Sequence, residues 1–270
     1  MQTSDFLSTA IEAARAAGRV LTSHLGALKH IEAKQQQRNN LVTEADRASE
    51  QIIREMILGR FPTHSLLGEE GGAVTGTGEY RWIVDPLDGT TNFTHGLSLF
   101  SVSIAVERAG EVLAGVVYDP MADELFAAER GSGAYLNDRK LQVSGVRDIQ
   151  DAMLVTGFPY TVRENPEFCR ERFVAFLHHA QAIRRLGSAA LDCAYVAAGR
   201  IDGYWEVALQ AWDKAAGMLL IEEAGGRVTT FDGGPLDLFH PPFLGSNGHI
   251  HDVMLDILAK ARDVRIQIPE

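Results

Sequence analysis

Residues 82 to 93, Trp-Ile-Val-Asp-Pro-Leu-Asp-Gly-Thr-Thr-Asn-Phe, constrain this chain more than any other stretch. Trp82, Ile83 and Val84 form an apolar run that reads as a buried strand. The run stops at Asp85-Pro86, because a proline drives the residue before it out of the helical region. Asp88-Gly89 is a turn signal, so the chain is expected to reverse there. That leaves two carboxylates on one exposed corner beside Thr90 and Thr91. Carboxylates, a backbone carbonyl and hydroxyls are the oxygen ligands that Mg²⁺ takes. The same letters also describe an Asp-Pro turn followed by an Asp that caps the next helix, and D-P-x-D alone does not separate the two.

Around this stretch the chain reads as helices followed by short strands. Residues 4 to 26 fit a helix capped by Ser4 and closed by Gly26, with Phe6, Ile11, Ala14, Val20, Leu21 and Leu25 near one stripe. Residues 35 to 40 read as a mobile loop or a solvated hairpin tip. Leu41-Val42-Thr43 leads into a helical pattern through Ile52, Ile53, Met56 and Ile57, which Thr43 or Asp46 would cap. A short apolar strand ends at Gly68-Glu69-Glu70, and 72 to 79 read as a loop. Strands at 99–107 and 111–118 flank Arg108-Ala109-Gly110, a hairpin signal, and further strands begin at 124 and 153. A helix fits 166 to 180, where His178 and His179 point to different sides and read as surface residues. Gly187-Ser188-Ala189 opens an Ala-rich helix whose free N–H groups suit an anion or a hydroxyl, although close packing also explains such small residues. Asp213 opens an apolar helix through Met218 to Ile221, where capping is again the ordinary explanation. Residues 232 to 248 read as turns and 250 to 262 as a last helix. Helices followed by closely spaced strands suggest an antiparallel sheet with helices packed on it. No repeat or linker splits the chain, which reads as one domain over 1–270, with a subdivision near 145–150 left open.

The formal net charge of −11 disfavours non-specific binding to nucleic acid or anionic membrane. Only Cys169 and Cys193 are present, without a Cys-x-x-Cys pair, so a disulfide scaffold and a zinc ribbon are both disfavoured. No apolar stretch approaches the 18 residues of a membrane span, and Asp5, Glu12 and Arg15 interrupt the N-terminal segment, so a cytoplasmic setting is expected.

Taken together, L-V-T-x-x-D, G-E-E, D-P-L-D-G-T-T-N-F, R-R-x-G-S-A-A-L-D and W-D-x-A-A-G, in that order, resemble the inositol monophosphatase family. The resemblance runs from the first helix to residue 249. It implies a layered α/β fold, an αβαβα sandwich, and a homodimer. It implies two or three Mg²⁺ ions held by Glu69, Asp85, the Leu87 carbonyl, Asp88 and Asp213, with Glu70 outside the ligand set. It further implies that Asp46 and Thr90 orient the attacking water beside Glu69. The substrate would meet Asp88, the Gly89 and Thr90 backbone, Arg184, Ala189, Glu206 and Asp213, with Ser188 less clearly in the set. Lys214 departs from the apolar residue common after Asp213 and could alter the local field. Four carboxylates in one cleft repel unless cations neutralise them, and those cations would also reverse the field of an acidic chain for an anionic substrate. The implied activity is lithium-sensitive hydrolysis of inositol monophosphate or a similar polyol phosphate. Fructose bisphosphate, histidinol phosphate and 3′-phosphoadenosine 5′-phosphate are the alternatives, though T-T-N-F resembles inositol-type members more than the T-K-E-F expected of nucleotide-type ones. A second reading, also by resemblance, is a binding role in RNA polymerase complexes, with no direct contact to nucleic acid expected.

Overall fold

The computed structural model describes residues 4–28, 30–33 and 40–263. The loop expected at 35–40 lies, except for Asn40, outside the described residues.

Helix α1 (Asp5–His24) begins where the Ser4 hydroxyl accepts the Leu7 N–H. Its buried face is Leu7, Ala10, Ala14, Ala17 and Leu21, while Phe6, Ile11, Val20 and Leu25 are only half-buried. The small residues let the helix lie close to the sheet. Strands β1 (Ile31–Ala33) and β2 (Leu41–Thr43) form a two-stranded ribbon, and β2 runs directly into α2 (Glu44–Arg60). There follow β3 (Ser65–Gly68), β4 (Gly72–Val74), β5 (Tyr80–Asp88) and the short α3 (Thr90–Thr94). Next come β6 (Ser101–Arg108), β7 (Glu111–Asp119), β8 (Glu124–Glu129), β9 (Gly133–Leu136) and β10 (Arg139–Lys140). The second half holds β11 (Met153–Thr156), α4 (Cys169–Leu177), β12 (Ala182–Arg184), α5 (Ala189–Ala197) and β13 (Gly203–Glu206). It closes with α6 (Ala211–Glu223), β14 (Arg227–Thr229), β15 (Phe243–Ser246) and α7 (His251–Lys260).

An eight-stranded sheet has the order β10-β9-β8-β7-β6-β5-β3-β4, and a five-stranded sheet has the order β12-β11-β13-β15-β14. The large sheet is antiparallel except where β3 runs parallel to β5. In the small sheet β11 is parallel to both β12 and β13. Strand alternation assigns side chains to layers. Trp82 and Val84 of β5 pack with Leu7 of α1 and Ile53 of α2, whereas Ile83 between them joins Cys193 of α5 and Ala216 of α6. Helices α5 and α6 fill the space between the sheets, and α4 and α7 cover the far face, where Phe176, Met254 and Leu258 share a cluster with Trp205 of β13. The layers are therefore α1/α2, large sheet, α5/α6, small sheet, α4/α7, as the αβαβα expectation had it. Among the described residues no helix is long and apolar enough to cross a membrane.

Several local expectations need correction. β5 does not stop at Val84 but continues through Pro86 to Asp88, with the β6 ladder slipping between Asp85 and Asp88. A proline is tolerated at such an irregularity because no ladder hydrogen bond is required of it. Residues 72–74 and 243–246 are strands, not loop and turn, because 72–74 pair antiparallel with β3 and 243–246 lie between β13 and β14. The helix expected over 166–180 begins only at Cys169. Asn165, Glu167 and Phe168 take left-handed conformations, and the Asn165 side chain accepts the Arg170 N–H.

Candidate active site

The parallel pair β3–β5 sets the site. Gly68 lies opposite Val84, and the Glu69 N–H donates to the Val84 carbonyl at 3.2 Å. Glu69 and Asp85 therefore leave adjacent strand ends side by side, and their carboxyls share a hydrogen bond. The corner that carries Asp85 and Asp88 is buried, not exposed: the two residues are 2% and 8% accessible. The start of α5 covers it, with Ser188 Oγ and the Ala190 N–H donating to Asp88 Oδ2 at 2.6 and 2.7 Å. The N–H groups expected there to be free thus already serve an acid of the chain itself. Within the turn, Leu87 N–H donates to Asp85 Oδ1 at 3.0 Å, and Ser49 of α2 donates to the Pro86 carbonyl at 2.8 Å. Gly89 follows at φ +99°, where a side chain would crowd the Leu99 and Gly187 carbonyls.

Asp46 uses its two oxygens differently. Oδ2 accepts the Thr43 N–H at 2.8 Å and the Thr43 hydroxyl at 2.6 Å, closing the cap of α2. Oδ1 accepts the Thr90 hydroxyl at 3.1 Å, a donor shared with the Leu87 carbonyl at 3.1 Å. Asp213 is not the cap of α6 but lies three residues in, where its Oδ2 accepts the Gln210 N–H at 2.7 Å. Beside it, Lys214 is fully buried and donates to the His240 carbonyl. The ammonium thus ties α6 to the loop before β15, and burial pulls its pKa down to about 8. Glu206, at the end of β13, accepts the Tyr204 hydroxyl on Oε2 at 2.6 Å. Arg184 is exposed and donates to the neighbouring Ile183 carbonyl, whereas the positive charge felt at Glu206 is that of Arg185. Ala189 is half-buried at the first turn of α5.

The electrostatics are those of crowded, dehydrated acids. Burial, then the charges of Glu69, Asp88 and Asp213, holds Asp85 well above the usual carboxylate range. Burial, then Glu69 and Asp88, does the same to Asp213. Asp88 is raised to about 6 by burial, against the lowering effect of Ser188 and Ala190. Glu206 is raised to about 7 by burial, against its bond from Tyr204. Asp192 of α5 is also pushed up by burial, and its buried Oδ1 has no partner among the described residues. None of Asp85, Asp88 and Asp213 takes part in an ion pair among the described residues. Nor, among those residues, do three or more His, Cys, Asp or Glu side chains stand ready to hold a metal ion. Asp85 and Glu69 instead lean on each other at the two strand ends. The donor set that Glu69, Asp85, Asp88, Asp213 and the Leu87 carbonyl offer is all oxygen and acidic, which fits Mg²⁺. A cavity of about 610 Å³ lined by Arg172, Phe231, His240 and Arg262 shares no residue with these acids.

The profile of the inositol monophosphatase family matches residues 2–264. The chain belongs to this family. It is 44% identical over 265 residues to the inositol-1-monophosphatase of Rhizobium meliloti, covering 96% of this chain and 98% of that one. It is 46% identical over 232 residues to the Nus factor SuhB of Pseudomonas aeruginosa, covering 84% and 86%. Among solved structures, the extragenic suppressor protein suhB of Bartonella henselae superposes with a TM-score of 0.90 at 42% identity, covering 95% of this chain and 99% of that one. The inositol monophosphatase of Anabaena gives 0.86 at 44% identity, covering 94% and 95%. Asn92 has no role of its own in the sequence reading of D-P-L-D-G-T-T-N-F, yet its side chain donates to the Leu99 and Leu186 carbonyls at 2.7 and 2.8 Å and so ties the Asp88 turn to the start of α5. Tyr204 likewise has no role in the sequence reading. A period-two reading of β13 puts Tyr204 on the face of Glu206, a signal that could have found it.

Proposed function

We propose that the chain is a Mg²⁺-dependent phosphomonoesterase acting on inositol monophosphate or a similar small polyol phosphate. The observation that carries this reading is the gathering of Glu69, Asp85, Asp88 and Asp213, from strand ends and helix starts far apart in sequence, next to a Thr90–Asp46 hydroxyl–carboxylate pair. Glu69, Asp85, Asp88, Asp213 and the Leu87 carbonyl would hold the cations. Bound there, Mg²⁺ would offset the acids, bind phosphate oxygens and lower the pKa of a water.

The rest falls to the side chains. The Thr90 hydroxyl donates to Asp46 and the Leu87 carbonyl, so the lone pairs of Thr90 Oγ1 are free to accept an O–H of the attacking water and fix its direction. Glu69, on the neighbouring strand end, receives a proton of that water. The amides of Gly89 and Thr90 open α3 without a side-chain cap and would hold the phosphate. Glu206, anchored by Tyr204, would accept a hydroxyl of the alcohol portion, with Ala189 and Arg184 bordering it. The phosphorus–oxygen ester bond breaks, the water oxygen stays on phosphorus, and the departing alkoxide takes up, through solvent, the proton that Glu69 received, so that one water is consumed and Glu69 is regenerated.

The test is phosphate release, with and without Mg²⁺, from inositol 1-phosphate, glycerol 2-phosphate, fructose 1,6-bisphosphate, histidinol phosphate and 3′-phosphoadenosine 5′-phosphate. Mg²⁺-dependent release that favours inositol 1-phosphate supports the reading, and Li⁺ should inhibit it. Release from none of them, by a folded protein, rejects it. The relatives named Nus factor SuhB favour a second reading, association with RNA polymerase or its Nus factors. A pull-down with the parent chain and Asp88→Asn separates the two, since binding that survives loss of turnover is not catalysis.

A further inference from the structure

Glu69 stands on a three-residue connection, because β3 ends at Gly68 and β4 begins at Gly72. Its own N–H is held by β5, through Val84. The next two amides go to a single carboxylate outside the connection. Glu70 N–H donates to Glu50 Oε2 at 2.8 Å, and Gly71 N–H donates to Glu50 Oε1 at 2.8 Å. Glu50 lies on α2, four residues after Asp46 and on the same face, and is 3% accessible. Behind it, Arg54 Nη1 donates to Glu50 Oε1 at 3.2 Å and to the Gly71 carbonyl at 3.3 Å. The glycines fit this grip: a Cβ on Gly68 would stand 2.7 Å from the Glu50 carboxyl, and one on Gly71 would strike Glu50 and Arg54.

A buried carboxylate that spends both oxygens on two successive amides of one turn fixes that turn. Glu69 has to sit against Asp85 at the neighbouring strand end, and on a three-residue connection its place depends on how the backbone on either side of it is held. We infer that Glu50, backed by Arg54, is a positioning residue that holds Glu69 in place for cation binding. The inference rests on the proposed Mg²⁺ dependence. It makes α2 a common support, with Asp46 steering the Thr90 hydroxyl from its first turn and Glu50 steering Glu69 one turn later.

The test uses Glu50→Gln and Arg54→Gln in the full chain, with Mg²⁺ titrated and the melting temperature and phosphate release both followed. Groups that orient a metal ligand typically change metal affinity roughly 10- to 100-fold. Glu50→Gln should raise the half-saturating Mg²⁺ by about that factor in both readouts, while kcat at saturating Mg²⁺ falls far less. Arg54→Gln should shift it in the same direction by a smaller factor. A merely structural role would lower the melting temperature with and without Mg²⁺ and leave the Mg²⁺ midpoint where it was. A midpoint within about twofold of the parent in folded Glu50→Gln overturns the inference; if that variant does not fold, the same result in Arg54→Gln does so. A parent chain that shows neither a Mg²⁺-dependent rise in melting temperature nor phosphate release overturns the proposed function as well, so the two failures stay distinct.

Discussion

Removing the Tyr204 hydroxyl should move the pH dependence of substrate selection without moving the chemistry. Glu206 sits at about pKa 7 because burial raises it, and the Tyr204 bond at 2.6 Å restrains that rise by favouring the charged form. A hydrogen bond to a charged group contributes about 1.5–3 kcal/mol, equivalent to about one to two pKa units. In Tyr204→Phe the carboxyl should therefore titrate about one unit or more higher. At pH 7 its ionised share then falls from about one half to about one tenth or below. An ionised Glu206 accepts a substrate hydroxyl, so kcat/KM for a polyol phosphate should rise with pH through this pKa, and in the variant the rise should move to higher pH. Nearby cations would lower the pKa in both proteins and leave the difference. The assay is kcat/KM from pH 5.5 to 9.5 for inositol 1-phosphate, with phenyl phosphate, which has no neighbouring hydroxyl, as the internal control. If both substrates shift together, or neither does, the assignment of Tyr204 as the anchor of Glu206 is wrong.

Asp46→Asn keeps an oxygen for the α2 cap but removes the charge that draws on Thr90. It should lower kcat about 10²- to 10⁴-fold with little change in KM, and near-parental kcat in steady-state kinetics would rule out the Thr90–Asp46 pair. His251 is fully buried between the Ser246 and Thr229 hydroxyls at 2.8 Å each, and burial, then Arg227, depresses its pKa from 6.5 to about 4. Between those values the unfolded chain binds a proton that the native chain does not, so this contribution is complete above pH 6.5 and is lost as pH falls toward 4. The stability advantage of the parent over His251→Gln should shrink by about 2 kcal/mol between pH 7 and pH 5 in urea titrations, and a constant gap refutes the shift. Gly217 of α6 presses on Cys193 of α5, where a Cβ would overlap the cysteine side chain. Gly217→Ala should cost about 1–3 kcal/mol and lower the melting temperature by several degrees, and an unchanged melting curve would show that α5 and α6 can move apart freely.

What was legible in the sequence was local. Ser4 as a cap, the Arg108-Ala109-Gly110 hairpin and the strand before Asp85 each follow from a few neighbouring residues, and the structure has them. Ala109 and Gly110 take φ values of 52° and 86°, as a tight hairpin turn requires. The order of the acidic motifs pointed to the family without revealing how they meet. That depended on β3 lying parallel to β5, with β4 on its outer side, a pairing no short window encodes. The exposed corner at Asp85 and Asp88 turned out buried because its cover, Ser188 to Ala190, lies about a hundred residues further on. Lys214 stood out as a departure, but its partner, the His240 carbonyl, belongs to a loop with no periodic signal.

Capping and chemistry are the two explanations for Asp46, Asp88 and Asp213 in the sequence; in the structure Asp88 does not cap α3 and Asp213 is not the cap residue of α6, yet all three acids meet helix starts. Each acid spends Oδ2 on the start of a helix: Asp46 on Thr43 at α2, Asp88 on the Ala190 N–H at α5, and Asp213 on the Gln210 N–H at α6. The partial positive charge of a helix N-terminus eases the confinement of a carboxylate there. For Asp88 those bonds act against burial, which still raises it only to about 6. The second oxygen of each acid is left for other work, as Asp46 Oδ1 on Thr90 illustrates. Three helix starts thus give fixed direction to negative charge in a place where side chains alone would repel and rotate apart. Substituting a cap residue such as Ser188 is therefore not only a stability experiment. Ser188→Ala removes a donor to Asp88 and should raise the Mg²⁺ needed for half-maximal activity, whereas a loss of stability with an unchanged Mg²⁺ midpoint would return Asp88 to capping alone.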